Sequence, residues 1–271
     1  MQLPVSGLEV RFRAPDGNDD LAILEAAGGA VERALAVLSR LARVDEQTGG
    51  VLPFGDDGDS FWRALTITDF ETACLGLRRF LFGDTVSCMF RDNSHGCDER
   101  MELQFSIAAF LEEAKPGAPR GAQRSEEDPQ WFSLAGGAEN IVRFRLPSVE
   151  DQLQVMGKPQ ASSMLARRCI DAGKSGARAV TRAERAMEAL APLVSRPLEG
   201  ICPGCGEQVT ASLNVPRLLM DELQISAAPV LDEIHLIAAT YHWDEATILA
   251  MPQRRRAAYA ETIRLRERVA V

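Results

Sequence analysis

Residues 205–215 read Cys205-Gly206-Glu207-Gln208-Val209-Thr210-Ala211-Ser212-Leu213-Asn214-Val215, and residues 97–107 read Cys97-Asp98-Glu99-Arg100-Met101-Glu102-Leu103-Gln104-Phe105-Ser106-Ile107. The two runs align without a gap. Each starts at a cysteine, alternates apolar and polar residues as a half-buried strand does, and reaches a residue type that caps helix N-termini, Ser106 or Asn214. This shared order predicts a duplicated unit.

The likeness extends upstream of the cysteines. Val10-Arg11-Phe12-Arg13-Ala14-Pro15 recurs as Val142-Arg143-Phe144-Arg145-Leu146-Pro147, and acidic residues that suit the first turn of a helix follow both runs. Thr68-Asp69-Phe70-Glu71 and Thr181-Arg182-Ala183-Glu184 have the capping-box pattern and precede apolar residues at helical spacing. Because these matches occur in the same order, we expect two pseudo-repeats of strand, helices and cysteine hairpin.

These patterns predict an α+β protein of four segments. Residues 1–114 form the first repeat, and residues 140–226 form the second. Residues 115–139 are polar and rich in Pro and Gly, which predicts a linker or mobile loop. Residues 227–271 have an almost wholly helical pattern and form a C-terminal extension.

The cysteines predict a metal site. Cys202-Pro203-Gly204-Cys205-Gly206 has the spacing of a zinc knuckle, which supplies two of the four ligands that a structural zinc requires. The first repeat offers Cys88 and Cys97 at the equivalent place, with eight residues between them instead of two. We therefore expect Cys88, Cys97, Cys202 and Cys205 to bind one structural zinc that joins the two repeats.

Two alternatives to this site remain open. His95 could replace Cys88 as the fourth ligand, since imidazole also binds zinc. The site could also have lost its metal and kept its thiols as buried side chains. The remaining cysteines, Cys74 and Cys169, stand alone in apolar helix-like stretches, which favours a role as core filling.

Bulk properties argue against several functions. The net charge of −9 and the pI near 5.0 disfavour polyanionic partners, and a content of two Tyr and three Trp disfavours a base-stacking surface. The sequence starts without a secretory signal pattern and contains no apolar run long enough to span a membrane. No motif for nucleophilic, metallohydrolase or dinucleotide chemistry is present. We expect no enzyme activity and no small-molecule substrate.

The C-terminal region carries the most individual pattern. It contains Trp243, Ile248-Leu249, Pro252, Arg254-Arg255-Arg256 and Tyr259. The spacing predicts a short helix that ends at the proline and a second helix that starts there. The three arginines form a basic spot on an acidic protein, which favours pairing with acidic neighbours or a protein partner over nucleic acid.

This C-terminal pattern resembles the signature of baseplate proteins from contractile phage tails and related injection systems, the family of the T-even phage baseplate-hub assembly protein. The opening Leu3-Pro4-Val5-Ser6-Gly7-Leu8-Glu9-Val10-Arg11 and the cysteine pairs are also similar to members of that family. The family usually has two close-spaced cysteine pairs, whereas the first pair is stretched in this chain.

The resemblance implies a structural or chaperone-like role in baseplate assembly. It implies baseplate hub or wedge proteins as partners, and a location in the virion tail or in the host cytoplasm during assembly. A zinc-ribbon protein that binds nucleic acid or regulates is the alternative. That protein would depend on Arg254–Arg256 and would lose affinity steeply with salt.

Overall fold

The computed structural model describes residues 1–44, 58–91, 97, 99–119, 121–135, 141–171, 173 and 176–269. The chain is a mixed α+β protein, as predicted. It divides into two compact units that interleave in sequence: the first comprises Met1–Val10 and Val44–Val215, and the second comprises Arg11–Arg43 and Pro216–Val271.

In chain order, the first elements are β1 (Val10–Phe12), α1 (Gly17–Glu25), α2 (Ala30–Leu41), β2 (Ala42–Val44), α3 (Gly58–Ala64), α4 (Ile67–Phe82), β3 (Thr85–Arg91), β4 (Arg100–Ser106) and α5 (Ile107–Glu113). The next are β5 (Ala122–Arg124), β6 (Trp131–Ala135), β7 (Ile141–Arg145), α6 (Val149–Val155), α7 (Ala161–Cys169), β8 (Ile170–Asp171) and α8 (Ala177–Leu190). The last are β9 (Pro197–Ile201), β10 (Gln208–Ser212), α9 (Val215–Ala227), α10 (Val230–Tyr241), α11 (Glu245–Leu249) and α12 (Gln253–Val269).

Helix α4 of the first unit is buried along most of its length. Its buried polar side chains bind loops. Asp69 accepts hydrogen bonds from the main-chain N–H groups of Val5 and Ser6 (2.9 Å each), and Glu71 accepts one from Ser195 N–H (2.8 Å). Burial raises the pKa of both carboxyls, although these hydrogen bonds act to lower it.

Antiparallel sheets complete the first unit. Strands β3 and β4 form one hairpin, and strands β9 and β10 form another. A larger sheet has the order β5-β6-β7-β8, and helix α8 packs on the face that carries Phe132, Leu134, Val142 and Phe144. These four apolar residues lie at every second position of β6 and β7, so they share one face of the sheet.

An arginine–aspartate cluster closes the turn from β7 to α6. Ser148 caps α6, and Asp151 in the first helical turn accepts a hydrogen bond from Ser148 N–H. Asp151 also accepts hydrogen bonds from both terminal guanidinium nitrogens of Arg145 (2.5 and 2.8 Å) and from Nε of Arg168 (3.0 Å). Burial acts to raise the pKa of Asp151, but these donors outweigh it and hold the pKa well below the ordinary range.

The second unit contains the same arrangement at the turn into α1. Asp16 caps the helix, and Asp19 accepts hydrogen bonds from Asp16 N–H, from Arg13 (2.5 and 2.9 Å) and from Arg40 Nε (3.0 Å). Burial acts against the ionised form here as well, yet the donors lower the pKa of Asp19. The acidic residues occupy the first helical turn in both places, which confirms that prediction.

The C-terminal helices of the second unit pack around Ile237, Ile248 and Ile263. Tyr241, Trp243 and Tyr259 cover this core, with ring centroids 5.1–5.7 Å apart. Helix α11 ends before Pro252, and α12 begins at Gln253, as the sequence predicted.

The structure differs from the predictions in the linker and at two helix caps. Residues 122–124 and 131–135, within the predicted linker, form β5 and β6, because Phe132 and Leu134 lie two positions apart on one face of β6 and reach the core. Neither predicted capping box caps a helix. Helix α4 is capped by Thr66, two residues before the predicted position, and α8 begins after Gly176, so that Thr181 lies inside the helix.

Candidate metal centre

The knuckle of the second cysteine pair is a closed turn between β9 and β10. Cys202 N–H donates to Glu207 O (2.9 Å), and Gly206 N–H donates to Cys202 O (2.9 Å). Gly206 has φ +76°, a conformation that side-chain-bearing residues rarely adopt, which explains the glycine after the second cysteine. The main chain therefore holds Cys202 and Cys205 at one end of this hairpin.

The β3–β4 hairpin packs against the β9–β10 hairpin near that end. A Cβ added to Gly200 would lie 3.8 Å from Met101 Cε, an ordinary packing distance. A Cβ added to Gly204 would lie only 3.1–3.2 Å from the Glu99 side chain, so glycine allows this close approach. The contacts bring Cys97, in the connection between β3 and β4, to the knuckle.

Three of the predicted ligands lie together. The Sγ atoms of Cys97, Cys202 and Cys205 are all within 4.8 Å of one another, and those of Cys97 and Cys202 are 3.8 Å apart. Cys202 is buried, Cys97 is partly buried and Cys205 is exposed. None of the six cysteines, all within the described part of the chain, forms a disulfide. The group joins positions that are 105 residues apart in sequence.

These separations suit a metal ion. Sulfurs bound at about 2.3 Å around a tetrahedral ion lie about 3.8 Å from one another. The Cys97–Cys202 distance of 3.8 Å agrees with that geometry and is far longer than the ~2.05 Å of a disulfide. Three converging sulfurs can therefore bind a metal ion, and the donor set favours a thiophilic one.

The fourth ligand is not defined by this group. Cys88 lies on β3 opposite Leu103, is partly buried, and does not belong to the three mutually close sulfurs. Its role as a ligand stays a prediction. His95, the alternative ligand, lies outside the described residues. Cys74 and Cys169 are fully buried, which confirms their role as core side chains.

The three C-terminal arginines do not form one basic surface. Arg256 is 1% exposed, and its Nε donates to Glu233 (2.6 Å) while Nη2 binds Asp20. Burial raises the pKa of Asp20 despite the hydrogen bond from Arg256. Arg254 and Arg255 are exposed, and Arg255 lies over the Tyr259 ring. Pairing with acidic neighbours, the interpretation favoured for this run, is confirmed for Arg256.

The sequence interpretation missed this buried ion cluster. A signal was available in the sequence. Arg256, Ala260 and Ile263 have the i, i+4, i+7 spacing of one helix face, and Ala260 and Ile263 are buried on α12. An arginine on the apolar face of a helix requires a buried carboxylate partner. The acidic residues on α1 and α10 were candidates, but nothing in the sequence links those helices to α12.

Searches against protein-family models, curated proteins and solved structures find no match to this chain. No helix in the described ranges combines the length and the apolar character that crossing a lipid bilayer requires.

Proposed function

We propose that this chain is a structural or assembly protein of a contractile phage tail or injection-system baseplate, and that it acts by binding other proteins. The observation that carries the proposal is the group of Cys97, Cys202 and Cys205, which joins two hairpins distant in sequence. Four protein ligands leave no open position for an activated water, so such a metal stabilises a shape and performs no chemistry. The family resemblance supplies the baseplate context.

The proposed metal is one zinc, with Cys88 as the fourth ligand. Cys88 lies on β3, in the hairpin whose connection contains Cys97. Its thiol would complete the four-cysteine ligand set of a structural zinc. Binding of zinc to such a set contributes roughly 10 kcal/mol or more to folding. We therefore expect the packing of the two hairpins to depend on the metal.

The proposed duplication has support from the two arginine–aspartate clusters. In each, an arginine at the end of the Val-Arg-Phe-Arg run binds an aspartate six positions later, and a second arginine from the next helix binds the same carboxylate. Equivalent turns at equivalent sequence positions are what a duplicated unit predicts. The hairpins would then be equivalent as well, and the zinc would join the two copies.

The proposed partners are baseplate hub or wedge proteins, either in the finished virion tail or in the host cytoplasm during assembly. The direct test is purification of assembled tails that carry a tagged copy of this chain. We expect the chain to bind to tails or to hub or wedge subassemblies at a fixed stoichiometry, and to remain bound at moderate salt. Absence from every tail subassembly would contradict the proposal.

A nucleic-acid-binding zinc ribbon remains the alternative. It has lost its main support, because Arg256 is buried and paired with Asp20 and Glu233. If the alternative holds, binding to DNA or RNA weakens steeply between low and moderate salt, and Arg254→Glu abolishes it. If the baseplate proposal holds, Arg254→Glu leaves tail binding unchanged.

A further inference from the structure

A pocket of about 780 Å³ lies within the first unit, away from the cysteines. It is bordered by the loop near Leu8, by α3, by the β5–β6 turn and by the turn from β7 into α6. Apolar side chains, including Phe61, Leu65, Phe132 and Leu146, form much of its wall. Its volume is in the range of ligand-binding pockets.

Among the described residues, one guanidinium on the pocket wall has no acidic partner. Arg63 and Arg145 border the pocket, but both are engaged in ion pairs with carboxylates. Arg124 lies over the Phe132 ring, 5.4 Å from its centroid, and no carboxylate in the described part of the chain is within ion-pair distance of it. A positive charge beside an apolar wall suits a ligand that has an apolar part next to a carboxylate.

Arg124 also belongs to an edge strand. β5 is the outer strand of the sheet β5-β6-β7-β8, and no strand in the described ranges pairs with its outer side. Ser125 N–H donates to Trp131 O (2.8 Å), so alternation along the strand turns the main-chain groups of Arg124 outward. Unpaired main-chain groups at a sheet edge are a template for another extended chain.

We propose that β5 and this pocket together bind an extended peptide segment of a partner protein, in which an apolar side chain neighbours an acidic one. The inference rests on the proposed role in protein binding and adds the surface and the chemistry of the partner. The partner's main chain pairs with the outward main-chain groups of Arg124 on β5, its apolar side chain enters the pocket, and its carboxylate pairs with the Arg124 guanidinium. The edge strand favours a peptide over an isolated fatty acid, which has no main chain to pair.

The same sheet provides a matched control. Arg143 on β7 lies over the Trp131 ring at the same centroid distance of 5.4 Å, but it stands outside the pocket wall. Both arginines are exposed, and neither forms an ion pair with another described residue. Arg124→Glu and Arg143→Glu therefore make the same charge change on one sheet and differ in whether the pocket is affected.

The test is selection of random peptides displayed on phage against the full zinc-loaded chain. Binding of synthetic versions of the selected peptides is then measured by fluorescence polarisation. We expect selected peptides to be enriched in an apolar residue beside Asp or Glu. Arg124→Glu should weaken their binding by about 10-fold or more, and Arg143→Glu should change it by less than about 2-fold. N-methylation of alternate peptide amides should also weaken binding, without any change to the protein.

The proposal is overturned if no such peptides are selected, or if the two variants bind them equally. It is also overturned if dodecanoate binds the chain and depends on Arg124 while no peptide does. Zinc content and thermal unfolding of Arg124→Glu show whether that variant is folded. If peptide binding fails but the chain still co-purifies with tails, this inference fails and the proposed function stands.

Discussion

The cysteine group of the first unit and the buried arginine of the second unit both join segments that are distant in sequence. Cys97 meets Cys202 across 105 residues, and Arg256 meets Asp20 across 236. In the second unit, the chain itself supplies opposite charges, since Arg256 lies between two carboxylates. In the first unit, the converging groups are all thiols and offer no opposite charge to one another.

The cysteine group and the Arg256 ion cluster therefore have different requirements. The Arg256 guanidinium is paired with opposite charges that the protein itself supplies, although burying these groups costs desolvation of every charge and Nη1 has no hydrogen-bond partner among the described residues. Several thiols at one point offer one another only weak hydrogen bonds, whereas a metal cation binds their thiolate forms strongly. We therefore expect the first unit to depend on metal and the second to be independent of it.

The largest effect should come from metal removal. We expect a strong chelator, or Cys202→Ser, to remove zinc and to destabilise the first unit by several kcal/mol, because zinc binding contributes roughly 10 kcal/mol or more. Denaturant unfolding followed by hydrogen exchange in each unit measures this change. Amides of α10 and α12 should keep their protection.

A matched control separates metal loss from loss of a buried thiol. Cys74 is fully buried in α4 and lies outside the cysteine group. Cys74→Ala should lower stability by the cost of a small core cavity and leave one zinc bound. Equal loss of zinc in Cys74→Ala and Cys202→Ser would contradict the assignment of the site.

The next largest effect should come from Arg256→Met. The substitution leaves Asp20 and Glu233 buried near each other without a cation, and breaking a buried ion pair costs about 3–5 kcal/mol. Denaturant unfolding of the second unit measures this loss, and zinc content should stay unchanged. Arg254→Met, at an exposed neighbouring position, should change stability by less than about 0.5 kcal/mol.

A smaller effect is expected at the arginine–aspartate cluster of the first unit. Asp151→Asn keeps the side-chain shape but removes the charge that binds Arg145 and Arg168, at a cost of about 1–3 kcal/mol at neutral pH. The folded pKa of Asp151 is below its ordinary value of 3.8. Its carboxylate therefore stabilises the fold above that pH, and the contribution is lost as pH falls toward the folded pKa.

The stability difference between wild type and Asp151→Asn should consequently shrink as the pH falls below about 4. Urea unfolding across this pH range measures the difference. Asp19→Asn should behave in the same way in the second unit, because Arg13 and Arg40 lower the pKa of Asp19 too. A difference that grew at acidic pH would contradict this interpretation.

The smallest effect is expected for Glu71→Gln. Burial raises the pKa of Glu71 above its ordinary value of 4.5, so wild-type stability falls as the pH rises through the folded pKa. Gln still accepts the Ser195 N–H bond and carries no charge. We expect the variant to equal or exceed wild type by up to about 1 kcal/mol at neutral pH, and to lose that advantage in acid. A large loss at neutral pH would show that the ionised carboxylate stabilises α4.

Local patterns predicted much of the secondary structure. The strands after Cys97 and Cys205, the first-turn acids of α1 and α6, and the helix break at Pro252 all depend on neighbours within a few residues. The linker prediction missed β5 and β6. The Pro and Gly content of residues 115–139 received more weight than the short strand pattern around Phe132. The interleaving of residues 11–43 with the C-terminal helices depends on long-range packing, which local periodicity does not report.

The cysteine group was predictable where spacing determines geometry. The knuckle at Cys202 and Cys205 is a local turn, and the gapless alignment with Cys97 indicated its third member. Cys88 lies within β3, opposite Leu103, and the spacing of the cysteines does not determine this strand register. The pocket beside Arg124 combines four separate segments, and no single stretch of sequence carries a signal for it.

Zinc K-edge absorption of the purified chain, combined with metal quantification, tests the central claim most directly. We predict one zinc per chain, with a first shell of four sulfurs at about 2.3 Å. Cys202→Ser should lose that signal. The claim that a zinc ion joins the two hairpins would be contradicted by less than about half an equivalent of zinc in fully reduced native protein, or by a zinc coordination shell without sulfur.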